Sequence, residues 1–173
     1  MLTERQPQKS VSTSGDTKPV LKEGNGVTRF VTRSAGETAE IGFQLGRLLK
    51  AGDIVGLYGD LGAGKTIMVK GIARACGIDE REIASASYTI IAEYETEPPF
   101  VHIDLYRVEH DAEVGELGIR SITGGGSISV IEWAEKAQGE LQADIIKVSL
   151  KSLDEQTREI TIEGLNEKDR DNR

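Results

Sequence analysis

Residues Gly59-Asp60-Leu61-Gly62-Ala63-Gly64-Lys65-Thr66 fit the spacing G-x-x-x-x-G-K-[ST]. In a loop of this kind the backbone N–H groups turn inward and cradle the α- and β-phosphates of a nucleotide. Glycine is required because the backbone must approach the anion closely and take left-handed angles. Lys65 is expected to reach the β- and γ-phosphates, and the Thr66 hydroxyl is expected to ligate Mg²⁺. Ile67 falls in the same nucleotide-binding segment.

Such a loop needs a further carboxylate for the metal, carried at the end of a neighbouring strand. Two candidates follow apolar runs. Glu132 ends Ile128-Ser129-Val130-Ile131, and Asp104 ends Phe100-Val101-His102-Ile103. Trp133, the single tryptophan, follows Glu132 and is placed to shape the pocket. His102 reads as a structural side chain and His110, in an acidic stretch, as a solvated one. No Cys and His spacing supports zinc. The single cysteine, Cys76, excludes an internal disulfide and reads as a small hydrophobe.

The elements that must position these residues alternate along the chain. Val27 to Thr32 reads as a strand. Ser34 and Glu37 form a capping box ahead of a helical stripe that runs towards Gly52. Ile54 to Tyr58 reads as a buried strand leading into the loop, and a helix from about Lys65 to Ala75 closes at Gly77. Tyr88 to Tyr94, Phe100 to Leu105 and Ile128 to Ile131 read as strands, with a short helix at 111–117. Ile145 to Leu150 and Glu159 to Ile162 read as closing strands. The expected fold is therefore α/β: a mostly parallel central sheet flanked by helices, with antiparallel closing strands.

Residues 1–26 are rich in small and polar groups and are expected to be a disordered extension. Residues 27–164 form the expected P-loop domain, and 165–173 a charged tail. The apolar core of a secretory signal is missing from the N-terminal segment, so a cytoplasmic location is expected. No apolar run is long enough to span a membrane. The net charge is −8, and residues 30–150 carry nineteen acidic and eleven basic groups. An acidic body of this kind disfavours direct tight binding to nucleic acid.

Five segments taken in order carry a resemblance. They are Gly59–Thr66, Ser85-Ala86-Ser87-Tyr88-Thr89, His102-Ile103-Asp104-Leu105-Tyr106-Arg107, Glu116-Leu117-Gly118-Ile119-Arg120 and Val130-Ile131-Glu132-Trp133. From about Val27 to Gly164 the chain resembles the TsaE (YjeE) family, the bacterial ATPase component of tRNA threonylcarbamoyladenosine synthesis. The resemblance implies slow hydrolysis of ATP and association with TsaD and TsaB, which modify adenosine 37 of tRNA. It implies contact with tRNA only through that complex. Thr66 and Glu132 match the family's Mg²⁺ ligands, Asp104 a residue needed for hydrolysis, and Arg158 a basic residue that touches nucleotide. Ser85, Ser87 and Thr89 match a switch-like loop near the γ-phosphate. That loop usually reads Ser-Pro-Thr in the family; Ser85-Ala86-Ser87 lacks the proline, which should loosen it.

Two other readings share the loop. A small-molecule kinase would carry an arginine-rich lid, whereas Arg107 and Arg120 stand alone. A nucleotide-dependent interaction module would use the bound state as its signal, and the acidic body suits it.

Overall fold

The computed structural model describes residues 21–22, 26–83, 89–123, 125–141 and 144–165. Its strands are β1 (Leu21–Lys22), β2 (Val27–Thr32), β3 (Ile54–Tyr58), β4 (Ile91–Tyr94), β5 (Phe100–Asp104), β6 (Ile128–Glu132), β7 (Ile146–Ser152) and β8 (Arg158–Glu163). Helices are α1 (Ala35–Gly46), α2 (Lys65–Ala75), α3 (Asp111–Glu116) and α4 (Ile119–Ile122), and a 3-10 turn follows at Ala134–Ala137.

All eight strands join one sheet in the order β1-β2-β8-β7-β3-β6-β5-β4. Its centre, β7-β3-β6-β5, is parallel. Antiparallel strands close both flanks, β4 on one side and β8, β2 and β1 on the other. This is the expected α/β arrangement. It follows from composition: β3, buried along nearly its whole length, is a continuous apolar run as a strand covered on both faces must be. β7 instead alternates buried and exposed residues, so one of its faces meets solvent.

Alternation along β5 and β6 sorts side chains between two cores. Phe100, Ile128 and Val130 pack with α1 and α2, whereas Val101, Ile103 and Ile131 pack with residues of α3, α4 and the 3-10 turn. His102, Asp104 and Glu132 share the period of Phe100, Ile128 and Val130, and hence the α2 face of the sheet.

α1 begins as read: Ser34 Oγ accepts from Glu37 N at 3.1 Å, and Glu37 Oε2 accepts from Arg33 N at 2.7 Å. The helix ends at Gly46 rather than near Gly52. Lys50 N donates to Asp53 Oδ2 at 2.9 Å, closing a turn that redirects the chain into β3. Helix α4 was not expected; Gly118, at φ 64°, starts it from the left-handed region. Leu21 and Lys22, inside the segment expected to be disordered, pair with Arg29 and Thr28. Residues 1–20 and 23–25 lie outside the described residues, as do 166–173 of the expected tail. No helix among the described residues is long and apolar enough to cross a membrane.

Candidate phosphate and metal site

β3 ends at Tyr58 and the loop from Gly59 to Gly64 carries the chain into α2. Gly59 has φ 143°, and a Cβ there would run into Leu150 O of β7, so only glycine fits beneath the loop. Ala63 is buried below it and Ala63 N donates to Asp60 O at 3.1 Å, closing the turn. Leu61 stands at the crest, 73% exposed. Gly64, at φ 102°, is the residue before α2 and supplies no capping side chain. The first-turn N–H groups of α2 therefore face the mouth of the loop with the positive end of the helix dipole.

Lys65 is 4% exposed and folds back over the loop, its Nζ donating to Gly59 O and, at 2.9 Å, to Asp60 O. The same Nζ lies 3.6 Å from the centre of the Trp133 ring, within cation–π range. Burial pushes this ammonium below its ordinary 10.5, while Glu132, Glu135, Asp104 and Asp60 pull it back up. Trp133 has φ 59°, the single positive value among the described non-glycine residues, and its ring lies 5.3 Å from that of Tyr106. Strain of this kind persists only where the surroundings hold it. Lys136 helps to do so, donating to Tyr106 O and Val108 O, each at 2.8 Å.

Glu132 ends β6, 2% exposed, and both of its oxygens are engaged. Oε2 accepts from Thr66 Oγ1 at 2.9 Å, and Oε1 lies 3.0 Å from His102 Nε2. Asp104 is the register partner of Glu132 on β5, is buried, and its Oδ1 accepts from Tyr106 N at 3.0 Å. Two buried carboxylates thus end adjacent strands beside one hydroxyl and one ammonium. A hard divalent cation suits such oxygens, and Mg²⁺ takes one or two protein ligands and leaves the rest to phosphate and water. Among the described residues no three or more His, Cys, Asp or Glu side chains are arranged so that they could hold a metal ion by themselves.

Lys65, Thr66, Asp104, Glu132 and Trp133 line one hollow of about 320 Å³, together with Gly62, Gly64, Ile67, Leu61, Tyr106 and Arg107. Arg158 is not among them. It lines a second hollow of about 370 Å³ across Gly64 and Ile67, with Ser34, Thr38 and Gln156. Its guanidinium donates to Gly62 O at 3.3 Å, tying the β7–β8 turn to the loop. Ser85 and Ser87 lie outside the described residues, and Thr89 is exposed just after them. Arg120 donates to Gly139 O at 3.1 Å and reaches Glu140 at 3.6 Å, so it serves the surface rather than a lid. His110 is exposed and Cys76 half-buried, its thiol pushed up by burial.

Sequence reasoning did not single out His102, which touches Glu132, or Ser34, Thr38 and Gln156, which line the second hollow, as candidate site residues. His102 carried a signal: it stands two residues before Asp104 and therefore on the same strand face. Nothing in the sequence marked the other three.

The loop, the strand that feeds it and the parallel centre define an α/β protein of the P-loop class. The model of the threonylcarbamoyl adenosine biosynthesis protein TsaE family matches residues 32–160. The tRNA threonylcarbamoyladenosine biosynthesis protein TsaE of Treponema pallidum is 40% identical over 134 residues, spanning 78% of this chain and 98% of that protein. Its Bacillus subtilis counterpart is 36% identical over 126 residues, 72% of this chain and 78% of the relative. The crystal structure of Bacillus subtilis YdiB superimposes with a TM-score of 0.67 at 29% identity, covering 83% of this chain and 89% of that one. The chain belongs to the TsaE family.

Proposed function

We propose that this protein binds and hydrolyses ATP with Mg²⁺, and that it serves threonylcarbamoylation of tRNA adenosine 37 alongside TsaB and TsaD. In this reading it is not the transferase. One observation carries the nucleotide chemistry: Thr66 Oγ1 and Glu132 Oε2 meet at 2.9 Å at the mouth of the loop, beside a buried lysine. Relatives named for tRNA threonylcarbamoyladenosine biosynthesis support the pathway. The net charge of −8 supports leaving tRNA to the partners.

Thr66 and Glu132 would hold Mg²⁺, which when bound would supply neutralisation of the negative charge on the phosphates. The chain's own residues do the remainder. Lys65 leaves the loop carbonyls and the Trp133 ring for the phosphate oxygens, exchanging neutral acceptors for charged ones. First-turn N–H groups of α2 hold the α- and β-phosphates. Asp104 stands beside Glu132, where its carboxylate orients the attacking water. The second hollow, between α1 and the β7–β8 turn, takes the nucleoside, with Ile67 as an apolar contact and Arg158 as a polar one.

Phosphate release from ATP tests this reading. Weak release by the protein alone should rise when TsaB and TsaD are added. Lys65→Ala should lower it on the order of 10²–10³-fold with the circular dichroism unchanged. Activity retained in that variant would sink the assignment.

A further inference from the structure

His102 is a buried side chain that the proposed reaction does not use directly. It is 3% exposed, and its Nε2 lies 3.0 Å from Glu132 Oε1. A carboxylate oxygen accepts hydrogen bonds, so the ring grips it as a donor in the form that carries a proton on Nε2. Thr66 Oγ1 donates to the opposite oxygen, Oε2, at 2.9 Å. The carboxylate is therefore gripped at both ends, from β5 on one side and from the first turn of α2 on the other.

The backbone cannot supply this grip. Glu132 O accepts from Leu105 N at 3.2 Å, which fixes the main chain at the end of β6. The torsion at the carboxylate itself is broad and close to two-fold, so packing alone leaves the carboxylate free to turn. Strand register then decides which residue can reach it. His102 sits opposite Val130 and Asp104 opposite Glu132, so His102 must span a diagonal to reach the carboxylate. A long side chain with a donor at its far end makes that span.

We propose that His102 is the positioning residue for Glu132, holding Oε1 so that Oε2 faces Thr66 and the metal. The proposal rests on the reading of Thr66 and Glu132 as the Mg²⁺ site. Losing the donor leaves a buried carboxylate oxygen short of a partner. The carboxylate is then free to turn away from Thr66, and so turned it ligates a cation less well. Partners of metal ligands typically contribute 10–100-fold to metal affinity.

Mn²⁺ in the presence of ADP is the probe, with free Mn²⁺ followed by electron paramagnetic resonance on the full chain. The parent should bind Mn²⁺ with ADP, and His102→Leu should bind it about 10–100-fold more weakly. His102→Gln, which places an N–H donor at similar reach, should recover most of the loss. ADP affinity in EDTA should be the same in all three. Parent-like Mn²⁺ affinity in His102→Leu would overturn the proposal. So would an equal loss in His102→Gln when its circular dichroism and EDTA affinity match the parent. A parent that binds ADP but no Mn²⁺ would bring down the metal site itself, and the positioning role with it. If neither variant folds, nitrogen-15 spectra of the parent decide: a proton on His102 Nε2 supports the role, and an Nδ1–H ring overturns it.

Discussion

The two hollows on either side of the P-loop are built on opposite plans. The proposed metal side is assembled from the ends of two adjacent parallel strands and the first turn of α2, and its chemical groups are buried and cross-linked: Thr66 to Glu132, Glu132 to His102. The other side lies between the start of α1 and the β7–β8 turn, and its main polar group, Arg158, is occupied with carbonyls of the turn at Asp154, Glu155 and Thr157 and with Gly62 of the loop. One is a rigid charged pocket; the other is a seam between surface elements. Phosphoryl chemistry needs groups fixed before substrate arrives, whereas seating a nucleoside tolerates looser walls.

The largest effect that would break this division comes from Glu132→Gln. The substitution keeps the volume and removes the negative charge facing Thr66. Mn²⁺ affinity with ADP should fall about 100-fold, or roughly 2.7 kcal/mol, the scale of a hydrogen-bonded charge. ADP affinity in EDTA, set by the loop and the second hollow, should stay as it was. Titrations with and without metal make the comparison. Equal losses in both would show that the two sides are not independent.

What the sequence revealed follows the same division. Gly59–Thr66 is contiguous, and Glu132 and Asp104 announce themselves as carboxylates closing apolar runs. Each of these is a local pattern with a physical cause. The sequence marks His102 only as a structural side chain, because nothing local shows that β5 and β6 are neighbours, or that their register brings residue 102 within reach of residue 132. Ser34 was legible as a helix cap, and it is one, but its second position on the wall of a hollow is not written near it. Thr38 and Gln156 lie 118 positions apart and come to line one hollow only because the fold sets the start of α1 beside the β7–β8 turn. Their residue types are too common to signal chemistry. The early end of α1 escaped for a related reason: the half-buried Leu48 and Leu49 continue the helical period outside the helix, packed against the core by the Lys50–Asp53 turn.

A second, smaller effect sharpens the comparison through the scaffold. α1 and α2 cross on glycines, where a Cβ on Gly71 would run into Ala39 O and one on Gly46 would lie 2.7 Å from the Ala75 Cβ. Gly71→Ala must push α1 away from α2. The roughly 1 kcal/mol that alanine gains in helix propensity opposes a larger overpacking cost, so the net loss should be about 2 kcal/mol. Thermal unfolding should fall by roughly 4–8 °C. Gly115→Ala in α3, with nothing within 4 Å of its Cβ, should cost nothing. Because α1 carries Thr38 and is capped by Ser34, the Gly71→Ala protein should also lose nucleoside affinity while its metal dependence persists. A parent-like melting point would mean that the helices slide apart freely, and that the second hollow has no fixed width.

The smallest effect is the most discriminating. Arg158→Ala removes the donor to Gly62 O and the clamp on the β7–β8 turn, both at the surface. Hydrogen bonds of this exposure contribute about 1 kcal/mol, so ATP affinity should weaken roughly five-fold. Tripolyphosphate, which carries the phosphates without the nucleoside, separates the two sides. If Arg158 serves the nucleoside seam, tripolyphosphate affinity should hardly move while ATP affinity falls. If both fall together, the guanidinium swings from Gly62 O onto the phosphates when ligand enters. The loop would then be gripped by a cation from each flank, Lys65 from the metal side and Arg158 from the other. The hollows would in that case be two halves of one charged site, and the looser side would owe its looseness to the arginine's need to move.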